Sequence, residues 1–390
     1  MILLKNCRLI PELTEGTELT IADVAIEGEY IKAIEPAGSF SEEADTVIDL
    51  RGKTLMPGLI DMHTHLRLYS GTEMSDPLKP CEVTLDELEF AQYYLENGYT
   101  TVRDVGDNIQ NPAIAIRNFI KKGRLIGPRI FCSGPTLTPT EFGADAAWSV
   151  PNHYDVDSPM EMRKYVRYNL QKGSDFIKLY GSGSMMHKDG QPGALIMEPD
   201  EMEEAVKMAE RKHTYCAIHM HGTEGCDIAA HVGVRTIEHA SYISEETLRY
   251  LETLKGEGHG IVPTVSVLID ESWGGKAPQD VFDRVIDCLS KAVNYDILIG
   301  WGTDTSLMFQ RSDPYAEFRL RKENLHFSNL EILKQVTINS ATLMMQDAKM
   351  GTVKVGKYAD LIVIDGKPDE DITAMYQRPE HVIKGGAVIR

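Results

Sequence analysis

Short apolar runs alternate with amphipathic segments along most of the chain from residue 59 onward. Eight of these runs have the length of buried strands, at residues 59–66, 100–106, 129–135, 176–181, 215–222, 236–240, 261–266 and 297–304. The segments between them have helical spacing, as at 201–213, where apolar positions recur after a Pro199-Asp200 start signal. A strand followed by a helix, repeated eight times, predicts an α/β fold of the (β/α)8 TIM-like barrel type.

Both ends of the chain have a different pattern. Strand-like pieces occur at 3–10, 24–27, 30–34 and 47–50, separated by glycine and proline. After a helix that we expect over about 329–345, residues 357–365 and 381–390 again have strand character. We therefore expect residues 1–54 and 352–390 to form a small composite β-sandwich domain, and residues 55–351 to form the barrel.

Composition excludes some classes of binding partner and indicates the cellular compartment. The 390 residues are 42% hydrophobic and 25% charged, as expected of a globular enzyme, and the formal net charge is -19. Such a charge repels phosphate backbones and anionic lipid, so we expect no nucleic-acid or membrane partner. The six cysteines are scattered without C-x-x-C spacing, and no run is long enough to span a membrane. A reducing cytoplasm is therefore predicted.

Metal-ligand side chains are concentrated at the carboxyl ends of predicted strands. His63 and His65 end the first strand, His219 and His221 the fifth and His239 the sixth. The eighth ends at Asp304. Alternation places His63 and His65 on one face, although an H-x-H pair alone can equally be two hydrogen-bonded histidines. Active sites of such barrels lie at this end of the strands, so the position favours a metal site.

Lys178 lies inside a predicted barrel strand, on the same face as Phe176 and Tyr180. A strand lysine is usually a chain that reaches outward to solvent or a partner of a buried carboxylate. Beside two metal cations, however, the charged form is disfavoured, and the neutral amine could react with carbon dioxide. The resulting anionic carbamate could bridge the two metals.

The motifs as a set resemble those of the amidohydrolase superfamily. They are MPGLIDMHTH at 56–65, DFIK at 175–178, AIHMHG at 217–222, TIEH at 236–239 and GTD at 302–304, with supporting phrases TTVRDVG at 100–106 and GTVKVGKYADL at 351–361. Within that superfamily, the branch that looks most similar holds the prolidase-like, imidazolonepropionase-related dipeptidases. The resemblance covers nearly the whole chain.

The resemblance implies a site with two divalent metals, which we expect to be zinc, with manganese, iron or cobalt as alternatives. It places His63, His65 and Asp304 on the more buried metal, His219 and His239 on the second, and carboxylated Lys178 as the bridge. It also implies a bridging hydroxide that attacks a carbonyl carbon while Asp304 orients it and transfers its proton. His221 could replace His219 as ligand, contact substrate or support a ligand, and we favour His219.

Other assignments are left open by the sequence. Relatives often carry a histidine after the third strand, but residues 138–145 contain none, which leaves His221 and Tyr180 as candidates to polarise the carbonyl. Tyr242 is a candidate to bind a substrate carboxylate. Each tyrosine could instead be packed with its hydroxyl satisfied. We interpret Arg103-Asp104 as a structural charged pair.

We therefore expect a hydrolase that cleaves the amide or peptide bond of a dipeptide or N-acyl amino acid. The alternatives are a mononuclear deaminase or cyclic-amide hydrolase, which would not need Lys178, and a non-catalytic binding protein, which should have lost ligands. Substrate specificity should be set by loops at 141–157, 181–197, 270–280 and 308–315, which contain no sequence motif that indicates a particular substrate. We also expect a homo-oligomer.

Overall fold

The computed structural model describes residues 1–66, 79–106, 110–140, 153–183, 193–269, 277–306 and 313–390. The strands in these ranges are β1 Ile2–Leu9, β2 Ile21–Glu27, β3 Tyr30–Pro36, β4 Thr46–Asp49, β5 Thr54–Pro57, β6 Leu59–His65, β7 Tyr99–Asp104, β8 Arg129–Cys132, β9 Thr136–Thr138, β10 His153–Asp155, β11 Ile177–Tyr180, β12 Cys216–Met220, β13 Thr236–His239, β14 Gly260–Val262, β15 Leu298–Ile299, β16 Thr305–Ser306, β17 Leu361–Ile364, β18 His381–Lys384 and β19 Ala387–Val388. The helices are α1 Lys79–Glu96, α2 Pro112–Lys121, α3 Pro159–Lys172, α4 Pro199–Glu210, α5 Thr223–Val232, α6 Glu245–Leu254, α7 Gln279–Ser290, α8 Ala316–Glu323, α9 Asn329–Lys334 and α10 Ser340–Leu343.

The chain divides into two compact units, of which the first comprises Met1–Asp61, Gln92–Thr101 and Pro314–Arg390. Its sheet runs in the order β19-β18-β17-β5-β1-β2-β3, and β4 pairs with β1 off this path. Leu4 of β1 lies opposite Val24 of the antiparallel β2, and both side chains are buried. The same apolar cluster contains Leu361 and Val363 of β17. Strands from both ends of the chain therefore share one sheet and one core.

The second unit comprises Met62–Ala91 and Val102–Asp313. A parallel sheet runs through it in the order β10-β9-β11-β12-β13-β14-β15, and another sheet in the order β16-β6-β7-β8. Helices α4 to α7 connect the consecutive strands β11 to β15, as parallel pairing requires. The backbone N–H of Met62 donates to the carbonyl of Trp301 at 2.8 Å, and that of Asp175 to the carbonyl of Cys132 at 2.7 Å. Backbone hydrogen bonds thus connect the two sheets at two places.

The sequence pattern explains where individual helices begin and end. Helix α4 starts with Pro199 in its first turn, and the side chains of Glu198 and Glu201 satisfy each other's backbone N–H groups. This confirms the helix predicted over 201–213, with an earlier start and end. The helix expected over about 329–345 is interrupted, because residues Gln335–Asn339 form a π-helical turn between α9 and α10. Across the described ranges, no helix combines the length and apolar character that crossing a membrane requires.

Candidate metal centre

The first group of potential ligands is formed by His63, His65 and Asp304. One donor atom from each lies within 4.8 Å of the others. A carboxylate oxygen of Asp304 lies 3.4 Å from Nε2 of His63 and 3.5 Å from Nε2 of His65. Both histidines come from β6, where side chains two residues apart project to the same face. This group has the donor set of a zinc site.

The second group of potential ligands is formed by His219, His221 and His239, whose donor atoms also lie within 4.8 Å of one another. Their ring centroids are 4.5 Å apart for His219 and His221, 4.5 Å for His219 and His239, and 4.8 Å for His221 and His239. The two groups adjoin, because the rings of His63 and His239 are 4.7 Å apart. We call the six residues the histidine-aspartate cluster.

Hydrogen bonds hold the Nδ1 atom of most of these rings. Nδ1 of His63 contacts Glu238 at 2.7 Å, Nδ1 of His221 contacts Ser241 at 2.8 Å, and Nδ1 of His239 contacts Thr264 at 2.7 Å. Nε2 of His219 is buried and has no hydrogen-bond partner in the described part of the chain. An unpartnered buried imidazole nitrogen is costly unless something such as a metal ion binds it. The cluster therefore fits a metal centre.

The electrostatics of the cluster favour the ligand forms of its side chains. Burial lowers the pKa of His221 to about 3 and lowers the pKa of His219 and His239 well below the ordinary value, so all three are neutral at pH 7. Burial alone would raise the pKa of Asp304, but the adjacent His63 and His65 lower it instead. Neutral imidazole and ionised carboxylate are the forms that bind metals.

Asp304 lies outside a regular strand, contrary to the strand predicted over 297–304. Strand β15 ends at Ile299, and Asp304 has a left-handed backbone with φ 55°. Its backbone N–H donates to the carbonyl of His63 at 2.7 Å. His239 and Ala240 also have positive φ, at 66° and 50°. Such conformations are strained for residues other than glycine and concentrate at functional sites.

Lys178 is 3% exposed and lies on β11, the strand next to the one that carries His219. Register places Lys178 opposite Ala217 and Tyr180 opposite His219 on β12. Burial lowers the pKa of Lys178 from 10.5 to about 8, although Glu238 and Asp304 attract the ammonium and oppose the shift. A lowered pKa enlarges the fraction of neutral amine at pH 7, which is the nucleophilic form.

Arg103 and Glu238 form a buried ion pair that the sequence did not reveal. Both side chains are fully buried, and Nη2 of Arg103 lies 2.6 Å from Glu238. The structural role expected of Arg103 and Asp104 involves separate partners for each residue, because neighbouring residues on β7 project to opposite faces. Asp104 instead accepts backbone N–H groups of Leu66 at 2.8 Å and Gly106 at 3.3 Å. Burial alone would raise the pKa of Glu238, but Arg103 and His63 hold it at about 2.

Two tyrosines accompany the cluster. The ring of Tyr180 stacks on His219 with a centroid distance of 3.9 Å and an interplanar angle of 7°. Tyr242 is buried, its backbone N–H donates to the carbonyl of His221 at 2.9 Å, and the guanidinium of Arg284 lies 4.4 Å from its ring centroid. The loops expected to set specificity fall largely outside the described residues, at 141–152, 184–192, 270–276 and 307–312.

Known proteins resemble the chain over most of its length, and residues 54–389 match the amidohydrolase family. The chain belongs to the amidohydrolase family. It is 28% identical to the ochratoxinase of Aspergillus niger over 87% of this chain and 76% of that protein. Identity to the imidazolonepropionase of Caldanaerobacter subterraneus subsp. tengcongensis is 23%, over 94% of this chain and 88% of that protein.

Solved amidohydrolase structures agree with this assignment. The chain superposes on a prolidase complexed with N-methylphosphonate-L-proline with a TM-score of 0.83 and 27% identity, covering 100% of this chain and 99% of the other. A Xaa-Pro dipeptidase with bound methionine gives a TM-score of 0.84 and 28% identity over 100% and 99% of the two chains. The protein is thus a prolidase-like amidohydrolase with a TIM-barrel-like α/β fold, and a metal-dependent hydrolase of carbon–nitrogen bonds.

Proposed function

We propose that this amidohydrolase is a binuclear metal enzyme that cleaves dipeptides or N-acyl amino acids. The observation that carries the proposal is the histidine-aspartate cluster, in which two adjoining groups of three ligands lie near the buried Lys178. A mononuclear deaminase or cyclic-amide hydrolase would need only part of this ligand set. The similarity to a prolidase and a Xaa-Pro dipeptidase supports a substrate with a free carboxylate.

In the proposed site His63, His65 and Asp304 would hold one divalent ion, and His219 and His239 would hold the other. His221 also belongs to this second group of potential ligands, so its position alone does not decide between binding metal and binding substrate. Its assignment to the substrate rests on the resemblance. Lys178, once carboxylated, would add an anionic ligand to this set, and the nitrogen-rich donor set favours zinc. Divalent metals bound there would lower the pKa of water toward neutrality and so provide hydroxide for attack on a carbonyl carbon.

Asp304 orients the attacking water and moves its proton to the departing amine. Its position supports this role, since the carboxylate lies between His63 and His65 and the backbone is fixed by the hydrogen bond to His63. A group that transfers a proton must be held within hydrogen-bond reach of its target, and a fixed backbone achieves this. The strain at φ 55° is the expected cost of that placement.

Tyr180 and His221 are the proposed groups that polarise the substrate carbonyl, and Tyr242 binds the substrate carboxylate. Tyr180 is fixed by stacking on His219, and His221 by its contact with Ser241. Tyr242 lies beside Arg284, whose positive charge makes that end of the site more favourable for an anion.

We also propose a finer architecture, with a closed (β/α)8 barrel over 55–351 and a β-sandwich built from 1–54 and 352–390. The backbone hydrogen bonds that connect the two parallel-strand sheets support closure. We place the enzyme in the cytoplasm, because the six cysteines are scattered without the paired spacing of a disulfide framework.

The test is a hydrolysis screen with metal-replete protein. Xaa-Pro dipeptides, other dipeptides and N-acyl amino acids are compared with lactones, carbamates, imidazolones and aminopurines, and consumption of each substrate is quantified together with any amine or ammonia released. We expect turnover of a dipeptide or N-acyl amino acid, lost on removal of metal with a chelator and restored by zinc or manganese. Turnover confined to an aminopurine or an imidazolone would contradict the proposal.

A further inference from the structure

Three fully buried side chains, those of Glu238, Arg103 and Thr236, form a continuous chain of contacts behind His63. Arg103 donates from Nη2 to one oxygen of Glu238 at 2.6 Å, and the other oxygen lies 2.7 Å from Nδ1 of His63. The hydroxyl of Thr236 donates to the first oxygen at 2.5 Å. Arg103 also donates from Nη1 to Thr236 at 3.2 Å and from Nε to the carbonyl of Met62. Every polar group in the chain is directed at the next.

The surroundings of Arg103 hold its guanidinium in place. It lies 5.1 Å from the ring centroid of Phe176 and 5.9 Å from that of Tyr215, and those two rings stack on each other at 5.4 Å. A guanidinium packed against aromatic faces keeps its charge without water. Arg103 therefore provides a fixed positive charge that holds the Glu238 carboxylate in position against His63.

The histidines of the cluster differ in what holds their Nδ1 atoms. His63 contacts a carboxylate, whereas His221 and His239 contact the hydroxyls of Ser241 and Thr264. A carboxylate fixes the proton on Nδ1, directs the Nε2 lone pair outward and makes the imidazole a stronger donor. A hydroxyl can donate or accept, so it fixes neither the proton nor the basicity to the same extent.

We propose that Glu238 and Arg103 are positioning residues that make the ion at His63, His65 and Asp304 the more tightly bound of two. Glu238 acts on the metal through His63, and Arg103 acts through Glu238. The inference rests on the proposed function in that it requires metal at the cluster. Its consequence is ordered loading, in which the group containing His63 fills before the group containing His239.

Chelator competition on the purified full-length protein tests this with zinc as the probe. Wild type should release zinc in two steps with distinct dissociation constants. Glu238→Gln should raise the smaller constant about 10- to 100-fold, so that the steps approach each other. Thr264→Val should raise the larger constant, so that the steps move apart. Each substitution changes the side chain that contacts the Nδ1 atom of one histidine, and the new side chain has nearly the same shape as the old one.

A stability control separates positioning from general weakening of the fold. Glu238→Gln leaves a buried cation unpaired and should lower Tm, so Arg103→Met/Glu238→Gln is measured beside it. The double variant should recover Tm while the smaller dissociation constant stays at least about tenfold raised. Glu317→Gln breaks a second fully buried arginine pair, with Arg321 at 2.8 Å, and should lower Tm with both constants unchanged.

Three results would overturn the inference. The first is that Glu238→Gln lowers Tm as Glu317→Gln does but leaves both zinc dissociation constants unchanged. The pair of Arg103 and Glu238 would then have a purely structural role. Recovery of both Tm and affinity in the double variant would show that weak binding came from instability. Absence of zinc binding by wild type would overturn the proposed function and this inference with it. A zinc dissociation constant that Glu238→Gln changes only weakly would overturn the inference alone.

Discussion

Truncation of Lys178 to alanine tests the proposed bridge between the two metals. A carbamate forms only from the neutral amine, and burial lowers the pKa of Lys178 from 10.5 to about 8. At pH 7 this raises the neutral fraction about 300-fold, since each pKa unit is a factor of ten. In the proposed site this neutral amine would react with carbon dioxide, and metals that bind the carbamate would stabilise the product further.

Lys178→Ala should lower metal occupancy from about two ions per chain to about one, because the cations lose the anion that offsets their repulsion. Elemental analysis measures occupancy, and hydrolysis of the substrate found in the screen measures turnover. Acetate or formate in excess should occupy the vacated space and restore part of the activity. Lys178→Arg should not respond to acetate, because the guanidinium fills that space and stays charged.

Lys357 is a matched control, since it is also buried but serves an ion pair. It is 5% exposed, and its Nζ lies 2.9 Å from Glu15 and 2.6 Å from the hydroxyl of Thr352. Lys357→Ala should lower Tm and leave occupancy and turnover per molecule unchanged. If Lys178→Ala gives the same result, with full occupancy, normal turnover and only a lower Tm, the carbamate hypothesis is refuted.

Three further predictions concern other parts of the molecule. Asp304→Asn should keep the wild-type Tm and lower kcat by about 100-fold or more, and a variant that retains a tenth of wild-type kcat would contradict the assigned role. Tyr242→Phe should raise KM about tenfold with kcat nearly unchanged, since one hydrogen bond to the substrate carboxylate is lost, and an unaltered KM would remove Tyr242 from the binding site. Burial alone would raise the pKa of Glu15, but Lys354 and Lys357 hold this pKa at about 2 in place of 4.5. The ionised Glu15 therefore stabilises the fold fully above pH 4.5, and this stabilisation is lost as the pH falls through 2. The difference in unfolding free energy between wild type and Glu15→Gln, measured in urea, should shrink over that range, and a constant difference would show that the ion pair contributes nothing.

Features set by local periodicity could be predicted from the sequence. The alternation of side chains along a strand places His63 and His65 on one face, and helical spacing together with a proline start signal locates α4. These features depend on residues within a few positions of one another. The residue types at the strand ends were therefore enough to indicate a metal site.

Features set by distant residues could not be predicted. Arg103 pairs with Glu238, 135 positions away, and not with its neighbour Asp104. Asp304 reaches the cluster through a left-handed backbone and not as the end of a strand, because a hydrogen bond to His63 fixes it. The π-helical turn at Gln335–Asn339 likewise interrupts a segment whose apolar spacing is helical throughout. For Arg103 and Asp304, contacts with residues far away in the sequence decide the position.

Metal content of the active enzyme tests the central claim most directly. Protein produced with zinc or manganese is dialysed to remove loosely bound ions, and metal per chain is measured by elemental analysis together with turnover on the same sample. The two adjoining ligand groups and Lys178 predict about two ions per chain, with activity rising as the second ion is added. A fully active enzyme whose content stays near one ion per chain with metal in excess would contradict the binuclear site.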